Sequence, residues 1–185
     1  MIITDLFGVH MRFETSQTLF SPNGVDAGTR AMLSCARFGQ GDKALDLGCG
    51  YGVVGIYAAT LIGERNVMMT DVDELAVAAA RRNACLNGVP AIRVLQSDGF
   101  KSVDDAGYTL ILSNPPYHAD FSVAKHFIEK GFNRLAIGGK LIMVTKRREW
   151  YKNKLVSIFG GVSIQEVDGY CVFSAERRSM RYANK

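Results

Sequence analysis

Ser113-Asn114-Pro115-Pro116-Tyr117 follows directly on the apolar run Tyr108 to Leu112 and carries the most specific chemistry in the chain. An amide followed by two prolines and an aromatic suits a site that must hold a flat, conjugated amine. The Asn114 side-chain oxygen and a backbone carbonyl beside Pro115 can each accept one N–H of such an amine. That pulls the nitrogen toward a pyramidal geometry and aims its lone pair at an electrophilic carbon. Neither Pro115 nor Pro116 has an N–H to compete, and both fix φ near −65°, so the loop is stiff before substrate arrives. Tyr117 then offers a ring to cover a base. A proline-rich turn after a strand would show the same residues, so the reading depends on what lies upstream.

Upstream stands Ala44-Leu45-Asp46-Leu47-Gly48-Cys49-Gly50-Tyr51-Gly52-Val53-Val54-Gly55. A short apolar strand runs into a glycine cluster and out into the helical pattern Val54 to Leu61, the opening of a nucleotide-type α/β unit. Gly50-x-Gly52-x-x-Gly55 also satisfies the dinucleotide fingerprint, which keeps a dehydrogenase in view. Two details favour S-adenosylmethionine: Asp46 precedes the glycines, where a carboxylate reaches the ammonium of a methionine moiety, and a second domain for a hydride acceptor is not expected. The next strand ends in Asp71, placed to take two ribose hydroxyls, which supports an adenosine ligand without choosing between cofactors.

These segments, together with Asp71-Val72-Asp73 and Ser97-Asp98-Gly99, resemble the small-domain class of S-adenosylmethionine-dependent methyltransferases. More narrowly, Phe20-Ser21-Pro22-Asn23-Gly24-Val25-Asp26-Ala27-Gly28-Thr29 resembles the lead-in of the ribosomal RNA methyltransferases that modify the exocyclic amine of guanine in small-subunit RNA. The resemblance runs from about Gly8 to Arg178. It implies a Rossmann-like class I methyltransferase domain. Asp46, Gly48, Cys49, Gly50, Asp71, Val72, Asp98, Gly99 and Asn114 then hold the cofactor, and Asp98 and Gly99 contact the adenine amine. Asn114, Pro115, Pro116 and Tyr117 form the catalytic loop. Two-domain members of the family carry a degenerate amino-terminal copy of the domain that helps hold RNA; this chain is similar to the single-domain relatives.

The elements that must position these residues alternate along the chain. Strands are expected at Lys43 to Leu47, Asn66 to Thr70, Ile92 to Gln96, Tyr108 to Leu112 and Gly139 to Thr145. Helices are expected at Val25 to Phe38, Val54 to Leu61, Glu74 to Leu86, Phe121 to Ala136 and Glu149 to Phe159. Val9 to Phe13 and Gln17 to Phe20 suggest a short leading hairpin. Val162 to Val167 and Cys171 to Ala175, around Asp168-Gly169, predict a closing antiparallel hairpin. The result is an α/β fold with a doubly wound, mainly parallel seven-stranded sheet. Its ligand site lies beyond the strand carboxyl ends, where Asp46, Asp71, Asp98 and Asn114 all fall. Asp73 is assigned to capping the helix that begins at Glu74.

The 185 residues, 48% of them hydrophobic, predict a single domain able to bury roughly 70% of its unfolded surface. Residues 1–40 are the lead-in, 41–178 the core and 179–185 a tail. Without a run of ~20 apolar residues or a basic leader before an apolar block, a cytoplasmic location is expected. Cys35, Cys49, Cys85 and Cys171 lack metal-ligand or disulfide spacing, so no metal is expected and all four are read as reduced, Cys49 serving through its backbone. The net charge of +4 is modest, but basic residues crowd the carboxy-terminal third, interleaved with Trp150, Tyr151 and Tyr182. Lys146, Arg147 and Arg148, with Tyr117 and His118, are assigned to RNA, ribosomal RNA or a ribosomal particle being the expected partner. Arg181 to Lys185 read as a frayed tail. His118 is a base for the departing proton or a loop histidine facing phosphate or solvent; His10 and His126 lack a comparable setting. Adenine amine or protein glutamine methylation would use the same loop, and a non-catalytic RNA-binding module is the alternative of a different class.

Overall fold

In the computed structural model, residues 1–116 and 121–183 are described. Tyr117 and His118 lie outside them, so the base-covering and RNA roles assigned to those two stay at the level of sequence. The elements run β1 (Ile2–Leu6), β2 (Val9–Phe13), α1 (Ala27–Cys35), β3 (Ala44–Leu47), α2 (Val53–Ile62), β4 (Val67–Asp71), α3 (Glu74–Leu86) and β5 (Arg93–Gln96). They continue with β6 (Tyr108–Ser113), α4 (Phe121–Arg134), β7 (Leu135–Thr145), α5 (Arg148–Phe159), β8 (Ser163–Val167) and β9 (Tyr170–Glu176).

Seven strands form one sheet in the order β5-β4-β3-β6-β7-β9-β8. Neighbours from β5 to β7 are parallel, and β9 runs antiparallel to both β7 and β8. The central strands are buried and mostly apolar because both faces are covered, as parallel sheets require: β3 is buried at all four positions, Asp46 among them. One core lies under α1, α2 and α3, the other under α4 and α5. Strand order reverses between β3 and β6, which opens a crevice beyond their carboxyl ends, the usual ligand position in such sheets.

Local signals account for the helix ends. Asp73 accepts the Leu75 N–H at 2.9 Å and caps α3, as expected, and Asn87 and Gly88 end it. Asp168 and Gly169, with φ of 50° and 78°, make the tight turn between β8 and β9.

The leading hairpin differs from expectation. Val9–Phe13 pairs backward with Ile2–Leu6, from Ile2↔Phe13 to Leu6↔Val9. Phe7 and Gly8 both take positive φ at the turn, and the Asp5 carboxylate accepts the Gly8 N–H at 2.8 Å. Phe7-Gly8 makes the hairpin turn, and residues 17–20 form turns and bends. The outer edge of β2 and the residue after it are met by Asn83 of α3 and by Asn87 at its carboxyl cap. Asn83 accepts the Glu14 N–H and donates to the Glu14 carbonyl, while Asn87 does the same for Arg12. Asn83 also donates to the Tyr51 carbonyl, which ties the hairpin to the glycine loop.

The tail is docked. Tyr182 packs edge-on against Phe132 and donates to the Glu129 carbonyl, and the Ala183 N–H reaches the Ile158 carbonyl. Arg181 is exposed in agreement with a solvated end, whereas Tyr182 and Ala183 are fastened by an apolar contact the composition did not reveal.

Candidate active site

A cavity of about 320 Å³ opens beyond the carboxyl ends of β3, β4 and β6, a size that small-molecule sites commonly have. It is lined by Asp46, Gly48, Cys49, Gly50, Asp71, Val72, Asp98 and Gly99, and by Asn114, Pro115 and Pro116. Every described residue assigned to cofactor or catalysis is therefore brought to one cavity. Phe20, Ser21, Asp26 and Thr29 from the lead-in, and Val123 and Phe127 from α4, complete its walls.

The glycine loop is built by two different constraints. Gly50 sits at φ +54° with open space around a would-be Cβ, so the residue is there for its backbone conformation, and its N–H donates to Asp71 at 2.8 Å. Gly55 has ordinary φ, but a Cβ would meet Met69 Cγ at 2.3 Å. It lets α2 press onto β4 and leaves its N–H free to reach the Asp46 carboxylate at 2.8 Å. The Gly48 and Cys49 N–H groups both donate to the Thr70 carbonyl, which fixes the loop to β4.

The acidic residues are in three different states. Asp46 is 3% exposed. Burial, with the nearby Asp71 charge adding to it and the Gly55 N–H opposing, pushes its pKa up from 3.8 to about 7. A buried carboxylate with one amide partner is suited to a cationic ligand group, which would restore its charge. Asp71 accepts the Gly50 and Asp73 N–H groups, one on each oxygen, and keeps a lone pair on each for a ribose hydroxyl. Asp98 is exposed and bonded to Lys101 at 2.6 Å, which holds its pKa down. The Cys49 thiol is buried and pushed well above its usual pKa, by burial first and then by Asp46 and Asp71, which makes it inert as a nucleophile.

At the other end of the cavity, Asn114 donates through Nδ2 to Asp26 Oδ2 at 2.8 Å and to Thr29 Oγ1 at 3.0 Å. Because a carboxylate has no proton to give, this pairing fixes which end of the amide is nitrogen. Asn114 Oδ1 is left buried with no hydrogen-bond partner among the described residues. Asp26 and Thr29 are thus site residues that motif reading did not single out. The local signals are the lead-in segment that contains both residues and the capping of α1 by Asp26, which accepts the Thr29 N–H at 2.9 Å. His126 lies behind the cavity wall: its Nε2 is buried with no partner among the described residues, and its ring presses on Gly99 at the Asp98 end.

The basic segment packs against its own neighbours. Lys146 lies over the Tyr170 ring at 4.6 Å, Arg147 over Phe121 at 5.0 Å, and Arg148 pairs with Glu166. None lines the cavity, although β7 brings them to its edge of the sheet. Trp150 stacks on Phe121 at 4.2 Å, while Tyr151 is buried and packs against Phe173. Tyr151 is therefore a core side chain, while Tyr182 is partly buried against the core.

A cavity at the carboxyl ends of the parallel strands, lined by a glycine loop and strand-end carboxylates, defines an α/β domain of the kind that holds a nucleoside-containing cofactor. Residues 10–174 match the family model of the methyltransferase small domain. The chain is 33% identical to an uncharacterized protein of Bacillus subtilis, YbxB, over 89% of this chain and 85% of that protein. It is 34% identical to the ribosomal RNA small subunit methyltransferase C of Chromohalobacter salexigens, over 83% of this chain and 47% of the relative. A solved T. thermophilus 16S rRNA N2 G1207 methyltransferase, in complex with AdoMet and guanosine, superposes with a TM-score of 0.86 at 27% identity, over 96% of this chain and 50% of that one. The chain spans about half the length of the named ribosomal RNA methyltransferases that it matches. It belongs to the methyltransferase small-domain family of S-adenosylmethionine-dependent enzymes.

Removing the Asp71 carboxylate should weaken S-adenosylmethionine binding by about 1–3 kcal/mol, since charge-assisted bonds to ribose are lost and the Gly50 N–H is released. Calorimetry on Asp71→Ala reads this directly. Unchanged affinity would remove Asp71 from the ribose site, and binding of a nicotinamide cofactor instead would overturn the cofactor assignment.

Proposed function

We propose that this protein transfers the methyl group of S-adenosylmethionine to the exocyclic amine of guanine in ribosomal RNA. The observation that carries the reading is Asn114 Oδ1, buried at the cavity wall with no partner among the described residues while its own amide nitrogen is held by Asp26 and Thr29. A buried acceptor without a donor is costly, and an aromatic amine supplies the missing N–H. The guanosine bound in the similar T. thermophilus enzyme supports guanine as the base.

When bound, the cofactor supplies an activated methyl group, so the protein's task is alignment more than acid–base chemistry. Asp46 would hold the cofactor's ammonium and Asp71 its ribose, while Asp98 and Gly99 would border the adenine. Asn114 Oδ1 and the carbonyl beside Pro115 draw the two amine protons into the slot wall and leave the nitrogen lone pair facing the methyl donor. After transfer the surplus proton leaves to water or an adjacent carbonyl.

Incubation with methyl-tritiated S-adenosylmethionine and separate pools of ribosomal RNA, DNA and protein, followed by digestion, tests the reading. Label in N2-methylguanosine is expected. Label in N6-methyladenosine or in glutamine would replace it with the corresponding alternative.

Arg147, stacked at the start of α4 beside the catalytic loop, and its neighbours Lys146 and Arg148 are read as outer phosphate contacts. Replacing all three with alanine should lower RNA affinity and flatten its salt dependence while cofactor affinity stays constant. An unchanged salt slope would confine them to the intramolecular contacts with Tyr170, Phe121 and Glu166.

A further inference from the structure

We infer that Asp26 reads the N1–H of the target guanine and so sets the enzyme's choice of guanine over adenine. The inference rests on the amine-methylation reading above and adds to it the residue that selects the base.

Asp26 Oδ2 is fully occupied by its neighbours, taking the Thr29 N–H at 2.9 Å and Asn114 Nδ2 at 2.8 Å. Its other oxygen, Oδ1, takes no hydrogen bond from any described residue. Asp26 and Asn114 line the same cavity, and the bond between them places two acceptors, Asp26 Oδ1 and Asn114 Oδ1, on one wall. Guanine presents N1–H and the C2 amine side by side, a row of donors only. Adenine presents its C6 amine beside N1, which is an acceptor. A wall of two acceptors complements the first edge and sets a carboxylate against a lone pair in the second. Sites built on polar complementarity reject the mismatched edge far more strongly than sites that merely fit its shape.

The sequence holds a conservative change that reverses the pattern at one atom. In Asp26→Asn, both neighbours are donors, so the remaining oxygen takes the place of Oδ2 and the new amide nitrogen the place of Oδ1. Asparagine is as good an N-cap as aspartate, so α1 is preserved. The wall then carries one donor and one acceptor. That suits 2-aminopurine, which keeps the C2 amine of guanine but has an unprotonated N1.

The test uses RNA oligomers that carry guanine, 2-aminopurine or 1-methylguanine at the position labelled in the tritium assay. Wild type should methylate guanine with at least tenfold higher kcat/KM than either analogue. Asp26→Asn should lose 30-fold or more on guanine and prefer 2-aminopurine, with S-adenosylmethionine affinity and melting temperature close to wild type. A merely structural Asp26 would lower all three substrates together, and that outcome overturns the assignment. So does an unchanged guanine to 2-aminopurine ratio in Asp26→Asn. Label on adenine or on protein in the first assay would remove the amine-in-guanine reading and this inference with it, whereas label on guanine with an unaltered ratio would remove only the role of Asp26.

Discussion

Asn114→Ala should slow methyl transfer by two or more orders of magnitude, about 3 kcal/mol of transition-state alignment, the scale found when one oriented polar group is deleted from a preorganised site. Folding and cofactor binding should persist. Pro115 and Pro116 still stiffen the loop, and Asp26 still caps α1 through the Thr29 N–H. Two hydrogen bonds, to Asp26 and Thr29, are lost, at a stability cost of about 1–2 kcal/mol. Single-turnover kinetics at saturating RNA and cofactor separate alignment from binding. Near-normal turnover on every substrate that wild type accepts would reduce the Asn-Pro-Pro segment to a turn and end the amine mechanism.

Asp46→Asn is expected to make the cofactor-free protein more stable at pH 8 while weakening S-adenosylmethionine binding tenfold or more. The asparagine oxygen still accepts the Gly55 N–H, but the amide carries no charge to offset the cofactor's ammonium. In wild type the Asp46 pKa is raised from 3.8 to about 7, so the native state holds a proton that the unfolded chain releases between those values. Its contribution to stability is whole below pH 3.8, declines as pH rises to about 7, and stays lost above that. Asparagine has no such decline, and the gain at pH 8 should be about 1–3 kcal/mol, shrinking toward pH 5. Melting curves at the two pH values read it, and a variant no more stable at pH 8 than at pH 5, relative to wild type, would contradict a strained buried carboxylate. The same strain predicts that cofactor affinity in wild type falls as pH drops below 7, because binding must then expel the proton.

Much of the frame could be read from the chain because its signals are local. Glu74–Leu86 is bounded by its own cap and stop residues, and the helix lies where they put it. The strands of the sheet are apolar runs ended by polar residues, and Asp168-Gly169 marks the final turn. The cofactor side of the cavity was legible for the same reason, since each acidic residue closes or follows a strand. The substrate side was not. Asp26 and Asn114 are 88 positions apart and meet only when α1 packs beside the end of β6. His126 acquires its place by lying across Gly99, again a tertiary event. The aromatic residues near the carboxyl end misled for the converse reason: composition puts Tyr151 and Tyr182 among cations, while packing buries Tyr151 and lays Tyr182 edge-on against Phe132.

The amides of Asn83 and Asn87 have a bearing on how this molecule avoids its own kind. A two-stranded hairpin leaves two open edges, and open edges recruit strands from other chains into aggregates. On β2 the outward N–H and C=O groups of Arg12 and Glu14 are already taken by side chains one helical turn apart, which imitate a neighbouring strand without continuing the ladder. Helix α3 therefore acts as a guard that terminates the pairing, and because Asn83 is buried the guard is fixed in place. Replacing this pair with alanines would uncover a templating surface, so self-association during expression, and not lost catalysis, is the phenotype this corner of the protein is built to prevent.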